Sequence, residues 1–292
     1  MRSWLFVPAD SERKLGKSLA SGADALILDL EDSVQPAAKA EARALAADFL
    51  RSIDRSAPGP QIYVRVNALD TGLTEQDLQA IMPARPDGLM LPKCSSGAMA
   101  KTFAAAVRER EVEIGTMAGT IGLAVIATET AASLFAMGTY AISDVRLTAM
   151  TWGAEDLSAD LQTSHVRNDD GTYADPFALA RTLTLLAARA ADTEPVDSVY
   201  PAFRDNDGLV RDCAAAARDG FTGKLAIHPG QIEAINAAFT PSAEALDRAR
   251  AIVAAFSADP EAGVISLEGE MLDRPHRLRA ERLLKRAERF SS

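Results

Sequence analysis

The chain has 292 residues, 48% hydrophobic and 25% charged, with 14 prolines, 18 glycines and a formal net charge of −10. That is the composition of a folded globular protein and not of a disordered or fibrous one. The acidic balance argues against a nucleic-acid or anionic-membrane binder, which normally carries a basic stripe, and an anionic ligand would need a local basic patch; the length suits either two average domains or one α/β barrel with a full core.

The amino terminus, MRSWLFVPAD, has one Arg, and its apolar run stops at Pro8, short of a signal-peptide core. No stretch approaches the ~18 apolar residues of a spanning helix, so no membrane association and cytoplasmic residence are the expectation. Cys94 and Cys213 lie far apart without a C-x-x-C pattern, which predicts reduced, buried thiols and neither a disulfide framework nor a zinc ribbon.

In chain order, SWLFVP reads as a first strand, and the Asp-Ser after it opens a helix over 10–21. ALILDL is a second strand that runs into Asp29, Glu31 and Asp32, followed by an Ala/Leu-rich helix over 37–50. IYVRVN carries Arg65 and Asn67, GLMLPK ends in Lys93, IGLAVIATE ends in Glu129, and VRLTAMTWG leads to Glu155 and Asp156. The polar SHVRNDDGTYADP reads as a loop, 176–191 as a helix with Pro at its start, VDSVYPA as a seventh strand, and GKLAIHP as an eighth ending in His228. Each run is continuously apolar or β-branched and bounded by Gly, Pro or Asp, the pattern of strands buried on both faces.

Eight such runs alternating with helices predict an α/β fold, a TIM (β/α)8 barrel over 1–230. An open doubly wound sheet is the alternative, but no G-x-G-x-x-G follows the first strand. Residues 231–292 form a C-terminal helical extension. Leu246, Ala249, Val253 and Phe256 share one helical face, VISLEGEML reads as a hairpin, and Ala280, Leu283, Leu284 and Ala287 line a last helix. Such a tail must bury its apolar faces on its own barrel or on a neighbouring subunit.

In a barrel, side chains at the C-terminal ends of the strands line the active site. Glu129 and Asp156, from adjacent strands, form a carboxylate pair of the kind that holds Mg²⁺ together with water and substrate oxygens. Carboxylates at these places also cap helices or pair with arginine. Arg65 is suited to clamp a carboxylate bidentately, or to neutralise the Asp29, Glu31 and Asp32 cluster as a structural ion pair. His228, in IHPGQI, reads as a hydrogen-bonded turn residue more readily than as a general base. His165 and His276 have no metal-ligand spacing. Arg13, Lys14 and Lys17 place positive charge at the start of the first helix, against its dipole, a small cost that an anionic ligand would relieve; a solvated face is the alternative, and the one these residues by themselves favour.

Taken together, RSWLFVPADSERKLGK, ADALILDLEDSV, YVRVNALDTGLTEQDL, GLMLPK, TETA, WGAEDLSADL, GKLAIHPGQI, FTPSAEAL and MLDRPHRLRAERLL resemble the citrate lyase β-subunit-like CoA-ester lyases of the HpcH/HpaI aldolase superfamily, in the same order from Arg2 to about Leu284. The resemblance implies a Mg²⁺-binding TIM barrel that makes or breaks a carbon–carbon bond between an acyl-CoA thioester and a 2-oxo acid. It implies Glu129 and Asp156 as metal ligands, with Glu129 also facing the substrate, and Arg65 as the residue that holds the oxo-acid carboxylate. Asp273 of MLD matches an aspartate that family members bring from the C-terminal segment of a neighbouring subunit, usually in a trimer, and is expected to move the proton. Arg13, Lys14 and Lys17 lie where the family meets the nucleotide part of CoA.

The acids of ALILDLED then read as groups that orient Arg65 and metal-bound water, with Asp32 ranked above Asp29 and Glu31. Glu270 stands where the family often has Lys, and GTYADPFALAR departs from the usual run. The expected activity is Mg²⁺-dependent cleavage or condensation of a citramalyl-, malyl- or citryl-type thioester. One alternative is the β subunit of a citrate lyase complex acting on an acyl-carrier-protein thioester, whose acidic surface would suit the same basic patch. Another is a non-catalytic barrel scaffold.

Overall fold

The computed structural model describes residues 1–142, 145, 147–259, 261 and 263–288. The chain forms two compact units, Met1–Asn236 and Ala237–Ser292. In the first, β1 (Ser3–Pro8), β2 (Ala25–Asp29), β3 (Gln61–Arg65), β4 (Gly88–Leu91), β5 (Gly122–Ile126), β6 (Leu147–Thr151), β7 (Glu194–Asp197) and β8 (Gly223–Ala226) close into a barrel in sequence order. All neighbours are parallel, and β1 pairs with both β2 and β8. This is the predicted (β/α)8 barrel.

Helices follow the strands: α1 (Glu12–Ser18), α2 (Lys39–Ser52), α3 (Thr74–Ile81), α4 (Gly97–Glu113), α5 (Ala131–Leu134) and α6 (Ala154–Leu161), then α7 (Asp175–Ala190), α8 (Asn206–Asp219) and, after β8, α9 (Ile232–Phe239). The helix predicted over 10–21 is shorter. The Ser11 hydroxyl accepts from the Lys14 N–H, so α1 begins at Glu12, and a 3₁₀ turn over Leu19–Ser21 ends at Gly22 in the left-handed conformation. The predicted sixth strand begins at Leu147; Arg146 lies outside the described residues.

Strand alternation sorts the barrel side chains into two sets. Trp4, Ala25, Ile27, Tyr63, Met90, Ala124, Ile126, Ala149, Val196 and Leu225 pack together in the interior, with the Trp4 and Tyr63 rings 4.7 Å apart. Leu26 and Leu28, of the opposite parity, are fully buried on the other face. On that face β8 also carries Lys224, fully buried, its Nζ 3.0 Å from Asp197 and 2.7 Å from Asp212. A charge is tolerated there because carboxylates meet it at hydrogen-bonding distance.

In the second unit, α10 (Ala243–Ala258) is capped by the Ser242 hydroxyl and is followed by the hairpin β9 (Val264–Leu267) and β10 (Glu270–Asp273), then α11 (Arg274–Glu288). Ala249, Ile252, Phe256, Leu272 and Ala280 form its core, with Val253, Leu283 and Leu284 against them. Glu268 and Gly269 both take positive φ, as a two-residue turn matched to strand twist requires. Cys94 and Cys213 are buried free thiols. No helix among the described residues is long and apolar enough to cross a membrane.

Candidate active site

Asp29 is the last residue of β2 and shares the parity of Ala25 and Ile27, so it points inward at the C-terminal mouth of the barrel. Arg65, the last residue of β3 and of the parity of Tyr63, pairs with Asp29 in register. Arg65 Nε and Nη2 each donate to Asp29 at 2.7 Å. Arg65 Nη1 lies 2.8 Å from Glu31 Oε2, and the guanidinium carbon is 4.8 Å from the Phe6 ring centroid. The Glu31 contact is an ion pair without a hydrogen bond, so guanidinium N–H groups beyond the two on Asp29 remain, of the kind that grip a carboxylate.

Burial by itself would raise the Asp29 carboxyl, but the hydrogen bonds and charge of Arg65 outweigh it and hold the group below the usual carboxylate range. Glu31 is pushed up instead, by burial that its two cationic neighbours do not fully offset. The sequence ranks Asp32 first among the acids that orient Arg65. The structure gives that contact to Asp29 and Glu31, because strand parity aims Asp29 at Arg65. Asp32 stands 3.8 Å from the nearest Arg65 nitrogen and 3.5 Å from Lys93 Nζ, with its side chain 55% exposed.

Lys93 follows β4 and adopts a left-handed backbone, φ 51°, which is uncommon for a residue with a side chain. From there its N–H donates to Glu129, and its ammonium pairs with Glu31 and stands 3.7 Å from Asp156 Oδ1. One residue therefore touches both predicted metal ligands. The sequence places Lys93 at a strand end and gives it no role; a left-handed backbone at a lysine leaves no mark there.

Glu129 lies three residues beyond β5 and is buried. Gly153 makes room for it, since a Cβ at 153 would fall 2.7 Å from Glu129 Cγ. The sequence suggests Asp156 as the end of the sixth strand. It lies instead in the first turn of α6, where a carboxylate is favourable on its own account.

Burial pushes the Glu129 carboxyl up to about 8, and the nearby Asp156 and Glu31 add to the push. A buried carboxylate with acidic neighbours is what an oxygen-seeking divalent cation relieves. Among the described residues no three His, Cys, Asp or Glu side chains gather round one metal position. Two carboxylates supplemented by water and substrate oxygens are the usual donors of Mg²⁺, so Glu129 and Asp156 fit that ion.

Arg13, Lys14 and Lys17 are exposed on α1, which leaves the same end of the barrel as Asp29. Asp273 belongs to the second unit, where its Oδ1 is 2.5 Å from His276 Nδ1 and its side chain is 51% exposed. His228 is the turn residue that IHPGQI suggests: its Nδ1 accepts the Gly230 N–H, Gln231 Oε1 accepts the His228 N–H, and its ring stacks on Phe203 at 4.9 Å.

Residues 2–229 match the family described as HpcH/HpaI aldolase/citrate lyase. The chain belongs to that family. Its relatives include the citrate lyase subunit beta of Leuconostoc mesenteroides subsp. cremoris, 33% identical with 98% of this chain and 93% of that protein covered. They also include the (3S)-malyl-CoA thioesterase of Cereibacter sphaeroides (strain ATCC 17029 / ATH 2.4.9), 35% identical over all of this chain and 96% of that protein. The crystal structure of CitE from Mycobacterium tuberculosis, in complex with magnesium, acetoacetate and coenzyme A, superposes with a TM-score of 0.77 at 34% identity, covering 98% of each chain. The family match itself ends at residue 229, while the HpcH/HpaI relatives and the CitE structure align over nearly the whole chain, the span over which the sequence shows its resemblance.

Proposed function

We propose that this protein is a Mg²⁺-dependent carbon–carbon lyase that cleaves, or forms by condensation, a 3-hydroxyacyl-CoA thioester of the malyl, citramalyl or citryl type. The carrying observation is the convergence of a carboxylate pair, Glu129 and Asp156, and a buried guanidinium, Arg65, on one barrel mouth. Glu129 and Asp156 hold the metal, which when bound supplies a Lewis acid for the substrate's hydroxyl and oxo oxygens. A barrel kept only as a scaffold would have no use for a buried carboxyl with acidic neighbours.

Arg65 grips the carboxylate of the oxo-acid portion through the N–H groups that Asp29 and Glu31 leave open, and so orients the scissile bond. On cleavage the β-hydroxyl loses its proton, its oxygen becomes the carbonyl of the oxo acid, and the electron pair of the carbon–carbon bond passes to the thioester α-carbon. Asp273 takes that hydroxyl proton and returns it to the α-carbon, and moves it the opposite way in the reverse direction. An exposed aspartate on a hairpin of the second unit suits a residue supplied to the site of a neighbouring copy, which supports a homo-oligomer, a trimer in our reading. Asp32, with its exposed side chain, would orient water accompanying a bound metal. Arg13, Lys14 and Lys17 meet the nucleotide phosphates of CoA. We place the enzyme in the cytoplasm.

The test is cleavage of malyl-, β-methylmalyl-, citramalyl- and citryl-CoA by the purified protein, with Mg²⁺ and with EDTA, reading both the released oxo acid and free CoA thiol. Mg²⁺-dependent oxo acid from one substrate supports the lyase. Free thiol without oxo acid would assign thioester hydrolysis, the activity for which the Cereibacter relative is named. The kinship with a citrate lyase beta subunit favours a second reading, a thioester carried on an acyl-carrier protein. Turnover confined to the carrier-bound form supports it.

A further inference from the structure

Behind the acid loop lies a chain of buried polar groups that the proposed chemistry does not use. Lys39 is the first residue of α2, where a positive charge opposes the helix dipole, and its ammonium is partly withdrawn from water. Nothing in helix stability rewards a lysine there. Its Nζ donates to the carbonyls of Leu30 at 2.7 Å and Glu31 at 2.8 Å, and to Asn67 Oδ1 at 2.8 Å, which uses all three of its donors.

Asn67 in turn passes its backbone N–H and its Nδ2 to Asp77 Oδ2, both at 2.7 Å, and Arg43 Nε closes the chain on Asp77 Oδ1 at 2.6 Å. The chemistry of the partners fixes the Asn67 amide: Asp77 can only accept and Lys39 can only donate. Asn67 is 2% exposed and Asp77 0%, so both depend on partners within the protein.

The two carbonyls that Lys39 grips belong to Leu30 and Glu31, the stretch between Asp29 and Glu31. The Glu31 N–H donates to Asp29 Oδ1 at 2.9 Å, and the Ser33 N–H, two residues on, donates to Asp29 Oδ2 at 3.2 Å. Asp29 and Glu31 are the groups that aim Arg65. A loop with four backbone groups committed in this way holds its carboxylates to one geometry, whereas an untied loop would let Arg65 swing with its partners.

We propose that Lys39, braced by Asn67, Asp77 and Arg43, is a positioning residue that sets the aim of Arg65 and hence the affinity for the oxo-acid carboxylate. This rests on the reading of Arg65 given above. Because that grip serves ground and transition states alike, its loss appears in KM and not in kcat.

The experiment is calorimetric titration of the Mg²⁺-loaded protein with pyruvate as probe, for the unmodified chain, K39M and K39R, beside Mn²⁺ affinity by electron paramagnetic resonance and the thermal midpoint. K39M is expected to weaken pyruvate binding about tenfold or more, to leave Mn²⁺ affinity within about twofold, because the metal ligands Glu129 and Asp156 are not tied by Lys39, and to raise KM for the oxo acid with kcat nearly unchanged. K39R, which keeps a donor in place, is expected to recover part of the loss. Pyruvate binding in K39M equal to the unmodified protein, or a matching loss of Mn²⁺ affinity, would overturn the role of Lys39. Absence of pyruvate binding in the unmodified protein would instead overturn the reading of Arg65. If K39M does not fold, N67A, which spares both backbone bonds of the ammonium, takes its place: weaker pyruvate binding with Mn²⁺ affinity kept supports the role of Lys39, and unchanged pyruvate binding overturns it.

Discussion

Asp29 and Arg65 end adjacent strands in register, and two hydrogen bonds of 2.7 Å join them at the mouth of the barrel. The pair is almost wholly withdrawn from water, with Arg65 11% and Asp29 2% exposed at the side chain. A guanidinium so held cannot turn to meet a ligand, so the ligand must meet it. Asp29→Asn keeps the shape but removes the charge and sets an amide N–H against a donor. The expected cost, read from urea unfolding, is about 3–5 kcal/mol, with weaker pyruvate binding by the Mg²⁺-loaded protein. Unfolding unchanged within error would show that Glu31 suffices to hold Arg65.

Glu129→Gln keeps the side chain's volume and its contact with the Lys93 N–H but removes the charge a hard cation needs. Mn²⁺ affinity is expected to fall by more than about tenfold, the lower bound set by losses of outer-shell partners alone. Gly153→Ala approaches the same result by crowding Glu129, through a Cβ 2.7 Å from its Cγ. Its effect on Mn²⁺ affinity is expected to be smaller and of the same sign. Both variants retaining full affinity would remove Glu129 from the metal site.

Lys224→Met leaves the fully buried Asp197 short of one of its cations, with Arg181 Nε at 3.2 Å and Trp152 Nε1 at 2.7 Å as what remains. Breaking a buried pair from one side costs about 3–5 kcal/mol, which a lowered thermal midpoint reports. Lys224 lies outside the interior set of the barrel, so the metal and pyruvate affinities of the folded variant are expected to stand. A fall in those affinities would place the Lys224 network in the site.

The Asp24 carboxyl gives a pH signature. Burial would raise it, but hydrogen bonds from the Arg2 side chain and backbone prevail and hold it below the ordinary value. A group depressed on folding adds stability above its unfolded value of about 3.9, and that stability is lost as pH falls through the folded value. The stability gap between the unmodified protein and D24N is therefore expected to be widest at neutral pH and to narrow below pH about 4. Denaturant midpoints at pH 7 and pH 3 measure it; an unchanged gap would show that Asp24 contributes nothing by its charge.

Much of this architecture was legible in the sequence because strands buried on both faces and helices buried on one leave periodic apolar marks that do not depend on distant residues. The eight runs, the hairpin at VISLEGEML and the apolar face of the helix after Ser242 are of this kind. The order of the motifs also carried the family. Side-chain partnerships were legible only in outline: Arg65 reads as the partner of the acid cluster, but not of one acid in particular. The three acids of DLED look equivalent in a string, yet parity and register give Arg65 to Asp29, give Glu31 to both Arg65 and Lys93, and leave Asp32 at the rim. Lys39 and Asn67 are 28 residues apart and meet at 2.8 Å, and the left-handed turn at Lys93 joins Glu129, Glu31 and Asp156. Local pattern determined which segments become strands and helices, since burial repeats with the period of the backbone. Closure of the barrel decided which charges face one another, since only closure brings the ends of distant strands to a single mouth.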